Sequence, residues 1–243
     1  MPHAEALQVF AVTGLGEVGP GTDLATLITG AVAPTRADGL SLASGDVVVV
    51  TQKIVSKAEG RLVELDHSDP AAKMALVRRE SVRVLRQRGE LIISETTHGF
   101  ICANAGIDLS NVADGTAALL PEDSDRSARR VRAGLEHALG LQLGVIVSDT
   151  FGRPWRRGVT DVALGVAGVA AVVDLRGSTD AGGRELVATE ICVADEIASA
   201  ADLVMGKDRG VPVAVVRGVP AEWLRPASVQ AEVIRPPDED LFR

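Results

Sequence analysis

A carboxylate beside a hydroxyl at the end of an apolar run is the feature of this chain that most promises chemistry. Val145, Ile146 and Val147 read as a buried strand ending at Ser148-Asp149-Thr150. Oxygen donors at a strand end suit hard cations and phosphate oxygens. Arg153, Arg156 and Arg157 follow at once, punctuated by Gly152, Pro154 and Gly158. Arginine binds phosphate and carboxylate bidentately through its planar fork. A second stretch, Asn104-Ala-Gly-Ile-Asp-Leu-Ser-Asn111, adds a carboxylate at Asp108, amides at Asn104 and Asn111, and a turn at Gly106. Together the two stretches suggest a metal-assisted site for a phosphorylated substrate. Either one alone reads equally well as an N-cap or Asx turn beside a solvated basic face.

Other motifs carry less. Gly14-Leu-Gly-Glu-Val-Gly19 spells the dinucleotide fingerprint, which needs a helix to begin inside it and aim at a pyrophosphate. Pro20-Gly21 interposes a further turn, and the next strand ends in Thr51-Gln52-Lys53 without the acidic residue that would hold a ribose. That argues against a standard Rossmann site and leaves open a glycine loop near another nucleotide. Gly206-Lys207-Asp208 lacks the upstream glycines of a P-loop and reads as a helix stop. Lys57, shortly after an apolar strand, reaches a phosphate as a point charge or is a solvated lysine in a hairpin. Among Glu185, Glu190, Asp195 and Glu196, helical spacing singles out no metal ligand. The histidines, His3, His67, His98 and His137, are scattered and lack a ligand or triad spacing.

The elements that must position these groups point to an α/β protein. The chain has 243 residues, 46% hydrophobic but only 2% aromatic, so valine, alanine, leucine and isoleucine must build the core. Leu7–Val12, Asp46–Val50, Glu90–Ser94, Gly99–Ala103 and Pro212–Val216 read as strands. Thr22 or Asp23 caps a short helix ending before Pro34, and Ser124 opens one that Gly140 stops. Asp69-Pro70 opens another, with an apolar side through Met74, Val77, Val82 and Leu85. Helical spacing returns over 189–205. One continuous unit over 1–243 is the simplest account. A net charge of -8 argues against a nucleic-acid surface. Cys102 and Cys192 are too few for a disulfide framework and read as core residues of a reducing compartment. The longest apolar run, 162–173, is too short to span a bilayer and is broken by two glycines. With no secretion signal, a cytoplasmic protein is expected.

Five blocks in order then point to a family: 55–61, 104–112, 147–158, Gly183-Arg-Glu-Leu186 and Val193-Ala-Asp-Glu-Ile-Ala198. They resemble the coenzyme F-420-0:L-glutamate ligases, the γ-glutamyl ligases of deazaflavin biosynthesis, over nearly the whole chain. The resemblance implies a mixed-sheet α/β fold of the γ-glutamyl ligase type, neither Rossmann nor P-loop. It implies GTP-dependent addition of L-glutamate to the lactyl-phospho group of F-420-0, then further additions through γ-linkages, by way of an acyl phosphate. Mg²⁺ or Mn²⁺ is the implied metal, K⁺ a further candidate ion, and a homodimer the implied assembly. Asp108, Asp149 and Thr150 match metal-site positions, with Glu190 as a further candidate ligand. Leu15, Gly16, Glu17, Val18, Gln52, Lys57 and Asn111 match nucleotide contacts, and Arg153, Arg156 and Arg157 are candidates for the anionic substrate. Gly16 stands where the family commonly has proline, and Gln52 where a small hydroxyl residue is usual. The C-terminal nitroreductase-like domain of the bifunctional form is expected to be absent. A related amide ligase acting on another acid, or a nucleotide-binding regulator without turnover, are the alternatives.

Overall fold

In the computed structural model, which describes residues 6–32 and 41–241, the chain opens with β1 (Gln8–Ala11) and, after the glycine loop, α1 (Leu24–Ala31). Asp23 caps α1 by accepting from Ala25 and Thr26 amides; Pro34 lies outside the described residues. Strand β2 (Val47–Thr51) runs directly into α2 (Gln52–Ala58), so Lys57 sits on a helix and not in a hairpin. After β3 (Leu62–Glu64), Asp69 and Pro70 open α3 (Pro70–Arg79) as expected. That helix is shorter than its sequence suggests. Val82 and Leu85 belong to β4 (Ser81–Arg88), each at a bulge in its ladder with the next strand. Ser81 marks the change, its hydroxyl donating to Val77 O at 2.6 Å and bonding the Ser94 hydroxyl at 2.7 Å.

Strands β5 (Leu91–Thr96) and β6 (Ile101–Ala103) complete a small antiparallel sheet with β4, and β7 (Thr116–Ala118) pairs with β3. Helix α4 (Ser124–Leu139) is capped by Asp123 and closed by Gly140 in the left-handed region. Then come β8 (Gly144–Arg153), β9 (Arg156–Ala167), β10 (Val173–Asp174), β11 (Glu190–Ile191), α5 (Val193–Met205), β12 (Val213–Arg217) and α6 (Val229–Glu232). Strand β8 therefore does not stop at Thr150, as its apolar run suggested. It continues with β9 to Arg153, because Phe151↔Thr160 and Gly152↔Val159 extend the ladder, with register shifts at Val147/Ser148 and Gly152/Arg153.

The central sheet has the order β1-β12-β2-β8-β9, and only β2 and β8 are parallel. The glycine loop leaves an edge strand whose partner, β12, is antiparallel, so the fingerprint lies in no parallel βαβ unit. The mixed α/β class holds; the Rossmann alternative does not. Alternation along the strands builds two layers. Val48, Val50, Val145 and Val147 pack with Ile28 of α1 and Leu135 of α4, while Val47, Val49 and Ile146 pack with Ile197 and Ala201 of α5. Among the described residues no helix is long and apolar enough to cross a membrane.

Candidate functional site

The parallel pair β2 and β8 brings two carboxyl ends together, with Thr51 opposite Ser148. Beyond that point β2 has turned into α2, so Asp149 and Thr150 project past the end of their neighbour. Val147 faces the α1 and α4 layer, so Asp149, two residues on, leaves the sheet on that side. Thr150 and Ser148 leave it on the α5 side. The adjacent pair expected to share one cation thus points to opposite faces.

Asp108 comes to Asp149 from a different part of the chain. Asn104, Ala105 and Asn111 all adopt positive φ, near 50°, which folds the segment back on itself. Reciprocal amide bonds between Asp108 and Ala118, both 2.9 Å, pin the turn to β7. Lys53, at the start of α2, places its ammonium 2.9 Å from Asp108 Oδ2 and donates to Ser110 Oγ at 2.8 Å. Burial works to raise the Asp108 carboxyl, but hydrogen bonds from Lys53 and Ser110 outweigh it and hold the group below its usual range. Asp149 moves the other way. Burial, with the negative charges of Asp108 and Asp161 adding, pushes it up to about 7 against an opposing amide bond and the Lys207 charge.

Two carboxylates that oppose each other's ionisation, with an ammonium already lodged on one of them, fit a divalent cation. Among the described residues no group of three or more His, Cys, Asp or Glu side chains could hold a metal unaided. Mg²⁺ commonly needs only one or two carboxylates, taking its other ligands from water and phosphate. Glu190 does not join the set. It lies on β11, antiparallel to β10 and ion-paired with Arg176 at 3.3 Å. The chain enters that hairpin from the Ala167 end of β9, which pairs with the start of β8 and not with Asp149.

The expected nucleotide residues divide into groups. The loop's end is tied to α2 by Gly21 N donating to Ala58 O at 2.8 Å, which sets residues 15–18 near the helix that carries Lys57. Leu15 and Val18 turn their side chains into the core, while Gly16 and Glu17 are exposed. A Cβ at Gly16 would meet nothing within 4 Å, so crowding does not require glycine at this position. Gln52 is buried, accepting from Ser56 through Oε1, and its Nε2 has no partner among the described residues. Asn111 is exposed. Asn104 is a structural amide: its Oδ1 accepts from Ile92 N at 3.0 Å. Asn104→Ala should cost about 1–3 kcal/mol, the price of leaving that amide unmet, read by urea denaturation.

The arginines stand farther out. Arg153 and Arg156 face each other across the β8–β9 turn and, with Arg157, are exposed. Arg153 lies four residues beyond Asp149, about 13 Å along the strand. Cys102 and Cys192 both sit up to about 12, raised first by burial, so neither is a nucleophile at neutral pH.

Residues 14–218 match the family described as F420-0:Gamma-glutamyl ligase. The chain belongs to that family. It is 42% identical to the coenzyme F420:L-glutamate ligase of Methanothermobacter thermautotrophicus, over 98% of this chain and 99% of that protein. The corresponding ligase of Methanopyrus kandleri is also 42% identical, over 93% of this chain and 94% of its own. That of Methanocaldococcus jannaschii is 37% identical over 82% and 85%. In this member of the family, three charged groups beside the matched motifs escaped the sequence reading: Lys53, Asp161 and Lys207. The signal for Asp161 was present, since it places a charge directly before the apolar run that begins at Val162 in β9. Lys53 follows a buried strand as directly as Lys57 does. Lys207 was masked by its place at a helix stop.

Proposed function

We propose that the chain joins L-glutamate to coenzyme F-420-0 in an amide bond, with GTP as the activating co-substrate. The observation that carries this reading is the approach of Asp108 to Asp149 at the carboxyl ends of β2 and β8, in a chain whose relatives bear the ligase name over nearly their full length. Ligands of open α/β sheets commonly lie at such strand ends.

The reaction divides into two displacements. A substrate carboxylate oxygen takes the γ-phosphoryl group, forming an acyl phosphate and releasing GDP. The glutamate amine then attacks the acyl carbon, inorganic phosphate leaves, and the ammonium proton passes to solvent. Asp108, Asp149 and Thr150 would hold Mg²⁺ or Mn²⁺, which would supply charge neutralisation at the phosphate oxygens; K⁺ is a further candidate ion. The chain's own groups position and screen. Lys53 and Lys57 on α2 bring positive charge to the same strand end, and backbone amides of residues 15–18 approach the nucleotide beside them. Asn111 and Gln52 complete the proposed nucleotide contacts. Arg153, Arg156 and Arg157 serve the far, anionic part of an extended substrate, consistent with their distance from Asp149. No covalent enzyme intermediate is required. A homodimer and cytoplasmic residence complete the proposal.

Base choice is testable directly. Initial rates of glutamyl transfer with GTP and with ATP, at matched metal, should favour GTP by at least about tenfold, a difference of about 1.4 kcal/mol. Equal rates, or a preference for ATP, would overturn the guanine assignment and leave the ligase reading standing.

A further inference from the structure

Asp161 is buried at 2% exposure and has no basic partner among the described residues. Its two oxygens are claimed by hydroxyls of the facing strand: Ser148 Oγ donates to Oδ2 at 2.9 Å, and Thr150 Oγ1 to Oδ1 at 2.5 Å. Register explains the arrangement, because Asp161 lies directly opposite Thr150 and two residues before Ala163, which faces Ser148. The backbone is held as well, with the Asp161 carbonyl accepting from Ser199 Oγ of α5 at 2.8 Å. A buried carboxylate bonded only to neutral hydroxyls is an expensive device. A mere packing role would not call for the charge.

The hydrogens explain the use. Both hydroxyls donate to the Asp161 oxygens, so each has its single hydrogen committed there. Thr150 Oγ1 then presents lone pairs alone to any other neighbour. A hydroxyl fixed in this sense binds a cation and cannot turn its hydrogen toward one. We infer that Asp161 is a positioning residue that orients the Thr150 hydroxyl as a cation ligand and supplies negative charge behind it. This rests on the reading of Asp149 and Thr150 as residues that hold the metal.

Asp161→Asn separates this role from a structural one. The amide is isosteric but has one acceptor and one donor end, so it removes the charge and leaves only one of the two hydroxyls, Ser148 or Thr150, an oxygen to donate to. Outer partners of metal ligands typically contribute 10–100-fold in affinity. Mn²⁺ titrated alone into the protein, with free metal followed by electron paramagnetic resonance, should bind Asp161→Asn 10- to 100-fold more weakly than wild type. Thr150→Val should weaken binding similarly, and Asp161→Asn added to it should produce little further loss. The metal-free Asp161→Asn variant should fold and melt close to the wild-type temperature, because the side chain keeps its size and its place between the two hydroxyls. Additive losses in the double variant, unchanged Mn²⁺ affinity, or a variant that melts lower or fails to fold would each overturn the inference. If Asp149→Asn also left Mn²⁺ affinity unchanged, the fault would lie with the metal-site reading itself.

Discussion

Asp149→Asn is expected to abolish ligation and, at the same time, to stabilise the cation-free chain. Its carboxyl is held up at about 7 by burial and by its acidic neighbours, against an unfolded value of 3.8. Between those values the folded protein keeps a proton that the unfolded chain has released, so this group's contribution to stability falls as pH rises from about 4 to about 7 and is level above. Asparagine has no ionisation to resist. The variant should exceed wild type by on the order of 2–4 kcal/mol at pH 8 without divalent metal, and the gap should close by about pH 4. Turnover should fall by on the order of 100- to 1000-fold or more, the scale for removing one preorganised electrostatic group from an active site. Urea denaturation at several pH values and a steady-state assay read the two halves separately. A variant no more stable than wild type at pH 8 would contradict the burial, and the acidic neighbours, that hold this carboxyl up.

A larger effect on folding is expected at Gly165 of β9, which pairs with Val147 two residues before Asp149. A Cβ on Gly165 of β9 would lie 2.3 Å from the Ser124 carbonyl oxygen and 2.5 Å from the Asp125 amide nitrogen. Those are backbone atoms at the first turn of α4, with no side chain to swing aside. The same turn is anchored by Asp125, whose Oδ1 accepts from Val166 and Val229 amides and whose Oδ2 accepts from Gln230. Displacing the helix therefore strains several buried bonds together. Gly165→Ala should cost about 3 kcal/mol or more, a large share of the roughly 5–15 kcal/mol typical of a folded domain. Gly16→Ala, with open space around its Cβ, should leave stability unchanged. Thermal melts of the two variants side by side decide it; a Gly165→Ala protein that melts with wild type would show that α4 yields easily.

Local patterns carried much of the architecture into the sequence. Asp123 and Gly140 bracket α4 at the expected ends because a side-chain cap and a left-handed glycine act within a few residues. The β2 and β8 cores were equally plain as unbroken apolar runs. The helix opened by Asp69 misled because Val82 and Leu85 extend its apolar pattern, whereas pairing with β5, which skips both residues as bulges, makes the segment a strand. The site follows the same division. Asp108 and Asp149 were visible as motifs, and the residues between them were not. Lys53 and Asp161 gain their meaning from contacts across 55 and 11 positions of chain, to Asp108 and Thr150. The opposite facing of Asp149 and Thr150 required only strand alternation, but recognising it depended on β8 continuing past Thr150.

Products formed by wild type and by Asp108→Asn and Asp149→Asn, each incubated with F-420-0, L-glutamate, GTP and Mn²⁺, can be read by mass spectrometry. Wild type should yield F-420-0 extended by glutamyl units, with GDP and inorganic phosphate released alongside. Neither variant should yield more than traces. Absence of any glutamylated product from wild type, or undiminished product from Asp149→Asn, would contradict the assignment of this strand end as the site of ligation.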